Sequence, residues 1–172
     1  MESFKKILKE WGFVIFVFFT MGIFLMFFKI SVVNGHSMEP TFQDGEYLLL
    51  KKETDIDRFD IIVIKKSKGP FYLGDPEVME RPVLIKRVIG LPGESLFISK
   101  EGIIYINDIP IEDHYRKEAM EFQEKGYELL ETEIPEGYVY VLGDNRNHSA
   151  DSRNYGLIPI KEILGEIILP KR

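Results

Sequence analysis

From Trp11 to Phe28 the chain reads WGFVIFVFFTMGIFLMFF, eighteen residues without a charge and with a single hydroxyl. A helix of that length, rising about 1.5 Å per residue, reaches roughly 27 Å, close to the thickness of a bilayer's hydrocarbon core. A helix buried in a soluble core keeps a polar face, and this run has none. Lys5, Lys6 and Lys9 precede it, and positive flanking charge favours the cytoplasmic side, so the rest of the chain is expected across the membrane. A cleaved leader is the competing interpretation, but its apolar region is usually only about 7–15 residues long. The one small-residue cleavage site nearby, Val33-Asn34-Gly35, is weak. The run is therefore read as an uncleaved single-pass anchor over 11–28, with a cytoplasmic terminus at 1–10 and one extracytoplasmic domain over 29–172.

The 143 residues after Lys29 are the size of one ordinary domain. They hold 18 basic and 26 acidic residues, a net charge of −8. An acidic domain without a basic stripe argues against nucleic acid as a partner. There is no cysteine, hence no disulfide, thiol chemistry or thiolate metal site. His36, His114 and His148 are scattered and lack the spacing of a zinc site, so neither a metal nor a cofactor is expected.

Beyond the anchor the pattern shifts to short apolar runs separated by turn residues. EYLLLKK (46–52), DIIVIKK (60–66), VLIKRVIG (83–90), LFIS (96–99), IIYI (103–106), YVYVLG (138–143) and GEIILP (165–170) read as strands. Asp44-Gly45, Pro92-Gly93 and Asn107-Asp108 mark turns between them, the last leading into IPIED. Such spacing predicts a mostly β, antiparallel barrel or sandwich rather than alternating α/β units. Residues 113–133, DHYRKEAMEFQEKGYELLETE, read as a charged, weakly helical, solvated excursion, and 67–82 as a loop.

Three stretches carry potential chemistry. Ser37 lies in VNGHSMEPTF (33–42), a turn-prone segment just past the anchor that could equally be a polar exit from the membrane. Lys86 sits in a strand that should be mostly buried. Period-two alternation puts it on the face of Leu84 and Val88, with Ile85, Arg87 and Ile89 opposite. Most strand lysines snorkel to water, but desolvation between two apolar neighbours would lower this one's pKa and free its amine as a base. The third stretch is GDNRNHSADSR (143–153), a polar loop held at its start by the hydrophobic strand before it.

In this order and spelling the three stretches resemble the bacterial type I signal peptidases, membrane-anchored serine proteases with a Ser–Lys dyad. GHSMEPT is similar to that family's nucleophile motif, LIKRVIGLPGE to its general-base motif, and GDNRNHSADSR to its Gly-Asp-Asn-x-x-x-Ser-x-Asp-Ser-Arg motif. RFDIIVI resembles its strand motif, with Phe59 where glycine is frequent. The resemblance covers about residues 3–169. It implies an antiparallel β catalytic core with a small inserted cap, here about 94–136, behind a single transmembrane helix.

The resemblance also implies an activity. Secretory precursors would dock as an added strand and be cut at the outer face of the cell membrane after small-x-small residues, alongside the protein export channel. The reaction would pass through an acyl-enzyme, with Ser37 as nucleophile, Lys86 as general base and Ser149 orienting the lysine amine. Asp151 is expected to hold the loop through an arginine, Arg87 or Arg153 being nearest in sequence. Asp144 and Arg146 are read as structural members of a salt-bridged loop. Some family members carry a serine hydroxyl two residues before the nucleophile as an oxyanion donor; Gly35 has none, and losing such a donor costs about 2.7–4 kcal/mol. Met38 and Pro40 are expected to shape the turn, and Met38 to help the domain dip into the interface. Competing interpretations are a self-cleaving cytosolic repressor, a mitochondrial inner-membrane peptidase, a tethered β-domain that binds without cutting, and a hydrolase using His36 or His148.

Overall fold

The computed structural model describes residues 2–52, 55–65, 83–118, 120 and 131–168, with the backbone course alone for 2–10. Helix α1 (Glu2–Phe27) runs directly into β1 (Phe28–Val32), followed by β2 (Tyr47–Lys51), β3 (Ile61–Lys65) and β4 (Val83–Gly90). Then come β5 (Ser95–Ile98), β6 (Ile104–Ile106), β7 (Ile109–Pro110), β8 (Glu131–Glu133), β9 (Tyr138–Leu142), the short helix α2 (Ser152–Tyr155), β10 (Ile158–Pro159) and β11 (Ile163–Ile167). A seven-stranded sheet has the order β1-β2-β11-β3-β4-β9-β10, and a four-stranded sheet the order β7-β6-β5-β8. Pairing is antiparallel throughout the described residues.

The strand-like runs became strands for the expected reason, burial. β3 is the clearest case. Ile61 and Val63 enter a cluster with Met38, Phe42, Leu50 and Ile85, while Ile62 and Ile64 enter another with Val88, Val139 and Val141. A strand covered on both faces needs a continuous apolar run, which is what IIVI supplies. A third cluster joins Ile89, Tyr140 and Leu142 to Leu96, Ile98, Ile104 and Ile106 of the small sheet. Asn107 and Asp108 both have positive φ, 49° and 64°, giving the two-residue turn that joins β6 to β7.

The bounds expected of the apolar run need correction. The apolar run is not helical to its end, because Phe28 already pairs with Lys51 as the first residue of β1. Among the described residues, no helix is long and apolar enough to cross a membrane. From Trp11 to Phe27 most of the large apolar side chains of α1 are exposed. Its last turn is closed by Lys52, whose N–H donates to Phe27 O at 2.9 Å and whose Nζ donates to Leu25 O at 2.8 Å. A cation there meets the negative end of the helix dipole.

Strands β1, β8 and β10 carry no clear signal in the sequence. β1 merges with the apolar run, Glu131-Thr132-Glu133 has no apolar alternation, and β10 is only two residues long. The described part of the 113–133 excursion is neither helical nor wholly solvated. Residues 111–116 form neither helix nor strand, with Ile111, Asp113 and Tyr115 partly buried between exposed neighbours, and Met120 is buried. Period-two burial, rather than helical period, organises this segment. The 67–82 loop and the helical expectation over 121–130 lie outside the described residues.

Strand β11 changes register between Ile163 and Gly165 where it pairs with β3. Gly165 has φ 156°, and a Cβ there would collide with the Lys51 carbonyl oxygen and lie 3.1 Å from the Lys51 carbonyl carbon. Gly165→Ala is therefore expected to push β2 and β11 apart and lower stability by about 1–3 kcal/mol. Chemical denaturation in detergent measures this, and an unchanged midpoint would mean the bulge accommodates the methyl group.

Candidate active site

Ser37 sits in a turn pinned from below by its neighbours. Met38 and Phe42 are both 1% exposed and belong to the same cluster as Ile61, Val63 and Ile85. Phe42 N–H donates to Met38 O at 3.0 Å and Glu39 N–H to His36 O at 3.3 Å, so the segment coils on itself. Gly35 enters this turn at φ 93° and donates its N–H to Asp44 Oδ1 at 2.7 Å. Met38 is thus a core residue, which removes the expectation that it dips into a membrane interface.

Lys86 comes from the middle of β4 and is 3% exposed. Its Nζ donates to Ser37 Oγ at 2.8 Å and to Ile85 O at 3.0 Å. Burial pulls its pKa from 10.5 down to about 8, against the raising influence of Asp151 and Asp144; Arg153 adds to the lowering. Once the amine is neutral, the same contact can reverse, with the Ser37 hydroxyl donating to the nitrogen lone pair. Heavy-atom separations of about 2.6–3.2 Å are what a general base requires.

The loop 143–153 wraps around this pair. Arg87 donates from Nε to Asp144 Oδ1 at 2.8 Å and from Nη2 to Asp144 Oδ2 at 2.6 Å, and Thr41 Oγ1 donates to Asp144 Oδ2 at 2.5 Å. Arg153 makes the matching fork to Asp151, with 2.8 Å from both Nε and Nη2. Asp151 also accepts the Gly143 N–H at 3.0 Å and caps α2. Of the two arginines expected for Asp151, Arg153 is the partner; Arg87 belongs to Asp144. Arg146, fully buried, pairs with Asp113 of the excursion.

Ser149 departs from expectation. Its Oγ is buried and has no hydrogen-bond partner among the described residues, so the anticipated bond to Lys86 is not formed. It lies instead over Gly143, where any Cβ would overlap it. The histidines stand apart from Ser37 chemistry: His36 faces outward to Glu39, His114 to Glu112, and His148 is exposed. No cluster of metal-ligand type occurs among the described residues.

Beside Ser37 and Lys86 runs a cleft of about 330 Å³, walled by Ser31–Asn34 on one side and Val83–Ile85 on the other. Among the described residues β1 pairs only with β2, and β4 meets β9 only from Arg87 onward. Two strand edges without partners among the described residues, 28–32 and 83–86, therefore border this cleft.

A family model described as signal peptidase, peptidase S26, matches residues 7–171. The chain belongs to that family. Signal peptidase I of Streptococcus pneumoniae serotype 4 is 31% identical over 96% of this chain and 93% of its own length. Signal peptidase I U of Bacillus subtilis is 40% identical over 82% of this chain and 74% of its own. A crystal structure of a signal peptidase I from Enterococcus faecalis V583 is similar at a TM-score of 0.49 and 26% identity, covering 67% of this chain and 98% of that one. Membership makes the chain a serine endopeptidase.

Sequence reasoning missed several residues that assemble the peptidase site. Asn145 donates its backbone N–H to Ser37 O at 3.1 Å and its side-chain Nδ2 to His36 O at 3.0 Å, holding the Ser37 turn from the loop side. Its place within the Gly-Asp-Asn motif was the available signal. Gly143 permits that approach, since a Cβ there would stand 2.5 Å from Ser37 O. Gly143→Ala should displace both Ser37 and Ser149 and lower kcat for precursor cleavage about tenfold or more, because misplacements near 1 Å cost up to about a hundredfold. Wild-type kcat in that variant would show that the loop yields without disturbing the turn.

Proposed function

We propose that Ser37 is the nucleophile and Lys86 the general base of signal-peptide cleavage. The observation that carries this reading is the 2.8 Å contact between Lys86 Nζ and Ser37 Oγ inside a buried site. A serine hydroxyl attacks an amide only if a base takes its proton. An ordinary lysine offers a free amine in roughly one molecule in a few thousand at pH 7, whereas one titrating near 8 offers it in about one in ten. Lys86 takes the Ser37 proton as Oγ attacks the scissile carbonyl, then returns it to the leaving amine. The resulting acyl-enzyme is hydrolysed by water activated in the same way. The Ser37 backbone N–H is the oxyanion donor assigned here, and Gly35 adds no side-chain donor.

The precursor binds as an extended strand in the cleft between the free edges of β1 and β4, a mode in which main-chain bonds give affinity and side-chain pockets give selection. Crowding by Met38, Ile85 and Leu84 supports small residues at the first and third positions before the bond. In this reading Gly35 shapes the turn that presents Ser37, Asp144–Arg87 and Asp151–Arg153 hold the loop, and residues 94–136 are the cap.

Ser37→Ala and Lys86→Met are each expected to abolish cutting of a labelled precursor in detergent. Wild-type activity should rise with pH and level off above about 8, since the protonated amine is the inactive form. His148→Ala should keep most activity. A precursor with alanine before the bond should be cut, and one with a bulky aromatic there should not. Substantial cutting by Lys86→Met would reject the dyad.

The anchor belongs to the same proposal. Residues 2–27 would make a helix about 39 Å long, at about 1.5 Å per residue, and its uncharged part offers exposed apolar side chains suited to lipid. The lysines at 5, 6 and 9 favour an amino terminus in the cytoplasm and a peptidase domain at the outer face of the cell membrane, beside the export channel. Protease added outside spheroplasts should digest the domain and spare the amino terminus; a fully protected domain overturns the orientation.

A further inference from the structure

Residues 113–117 lie outside every motif, yet they touch all of them. The segment leaves the small sheet at Ile111, whose N–H donates to Ile104 O at 2.9 Å. Asp113 then pairs with the fully buried Arg146 of the loop. The Tyr115 ring covers the guanidinium of Arg87, 3.7 Å from its centroid, and meets the Phe59 ring at 5.3 Å. Lys117 donates its N–H to Asp144 O at 2.9 Å and its Nζ to Glu39 Oε2, two residues beyond Ser37, at 2.8 Å. The nucleophile turn, the strand of the base and the polar loop are thus bridged by one stretch of chain, with alternate side chains facing inward.

We propose that residues 113–117 are a strap holding these three segments in register, and that Tyr115 is a positioning residue acting on Lys86 through Arg87 and Asp144. The inference rests on the Ser37–Lys86 reading above. Its physical basis is the fork from Arg87 to Asp144. The ring over the guanidinium excludes water from that pair and fixes the arginine plane, a contact that strengthens when desolvated. A loosened Arg87 would neutralise Asp144 less. The charged groups acting on Lys86 are Asp151, Asp144 and Arg153, so a less compensated Asp144 favours the protonated amine.

The test uses the full chain in detergent with a labelled precursor. Tyr115→Leu keeps an apolar contact for Phe59 but removes the ring from Arg87. Its kcat is expected to fall about tenfold with KM unchanged, as for a small misalignment of reacting groups. Its pH–rate midpoint should move upward, and Tyr115→Phe should restore both kcat and midpoint. If Tyr115→Leu fails to fold, Asp113→Asn, which keeps the shape but weakens the hold on Arg146, should show the same fall in kcat. Ser37→Ala and Lys86→Met run alongside test the dyad separately. Wild-type kcat and pH profile in a folded Tyr115→Leu, or a loss confined to KM, with both controls inactive, overturns the strap while leaving the dyad in place. Failure of Tyr115→Leu to fold, together with wild-type kcat in Asp113→Asn, overturns it equally.

Discussion

The arrangement turns on a lysine kept dry. Removing water from the Lys86 amine brings its pKa within reach of neutral conditions, but a dry amine is acutely sensitive to nearby charge, since Coulomb interactions grow several-fold as the local dielectric falls. Two carboxylates, Asp144 and Asp151, sit close enough to raise the lysine's pKa again. Each is held in a two-pronged fork by its own arginine, Arg87 and Arg153 respectively. A bare buried aspartate would counteract the desolvation; a compensated one mainly supplies geometry. In the proposed mechanism the ion pairs are therefore electrical insulation as much as scaffolding. Breaking one by removing a single partner leaves an uncompensated buried charge, which is the costly case.

The polar loop could hardly exist elsewhere in the fold. Asp144, Asn145, Arg146, Asn147, Asp151, Ser152 and Arg153 are all buried, and buried polar groups persist only when most of their hydrogen-bonding capacity is met. Here the partners come from four directions: β4 through Arg87, the Ser37 turn through Thr41 and Ser37 O, α2 through its cap, and the small sheet's outgoing chain through Asp113. Satisfying the loop and aligning Ser37 with Lys86 are consequently one process, because the same bonds serve both.

How much of this was legible depended on whether the signal was local. The β2, β3, β4 and β9 runs announced themselves through continuous or alternating apolar residues, and the Asn107-Asp108 turn through residues that tolerate positive φ. Ser37 and Lys86, 49 positions apart, were linked by motif spelling, and the fold brings them within 2.8 Å. Pairings were harder. Nothing local distinguishes Arg87 from Arg153 as a partner for Asp151, and the answer lies in which arginine the strand delivers to which carboxylate. Asp113 and Tyr115 are hidden because a charged segment invites weighing by helical period, while its burial follows period two. Ser149 was assigned a bond by resemblance that its position over Gly143 does not provide.

Phe59 shows how the core accommodates a departure from the family's usual residue. The strand motif commonly has glycine there, and the backbone retains a glycine-like shape, with φ 72°. A bulky residue in that region carries strain of about 1–3 kcal/mol, which persists only where surroundings over-determine it. The surroundings are identifiable. Phe59 N–H donates to Val88 O at 2.8 Å, and its carbonyl accepts from Arg87 Nη1 at 2.8 Å. Either bond would be lost if the residue relaxed to negative φ. The ring that glycine lacks packs against the small-sheet core and against Tyr115. Phe59 is only partly buried, so its packing contributes less than the roughly 1.5–3 kcal/mol of full burial and offsets part of the strain. The phenyl group thus adds a contact between the small sheet's outgoing chain and the small-sheet core, without altering the backbone turn that presents its carbonyl to Arg87.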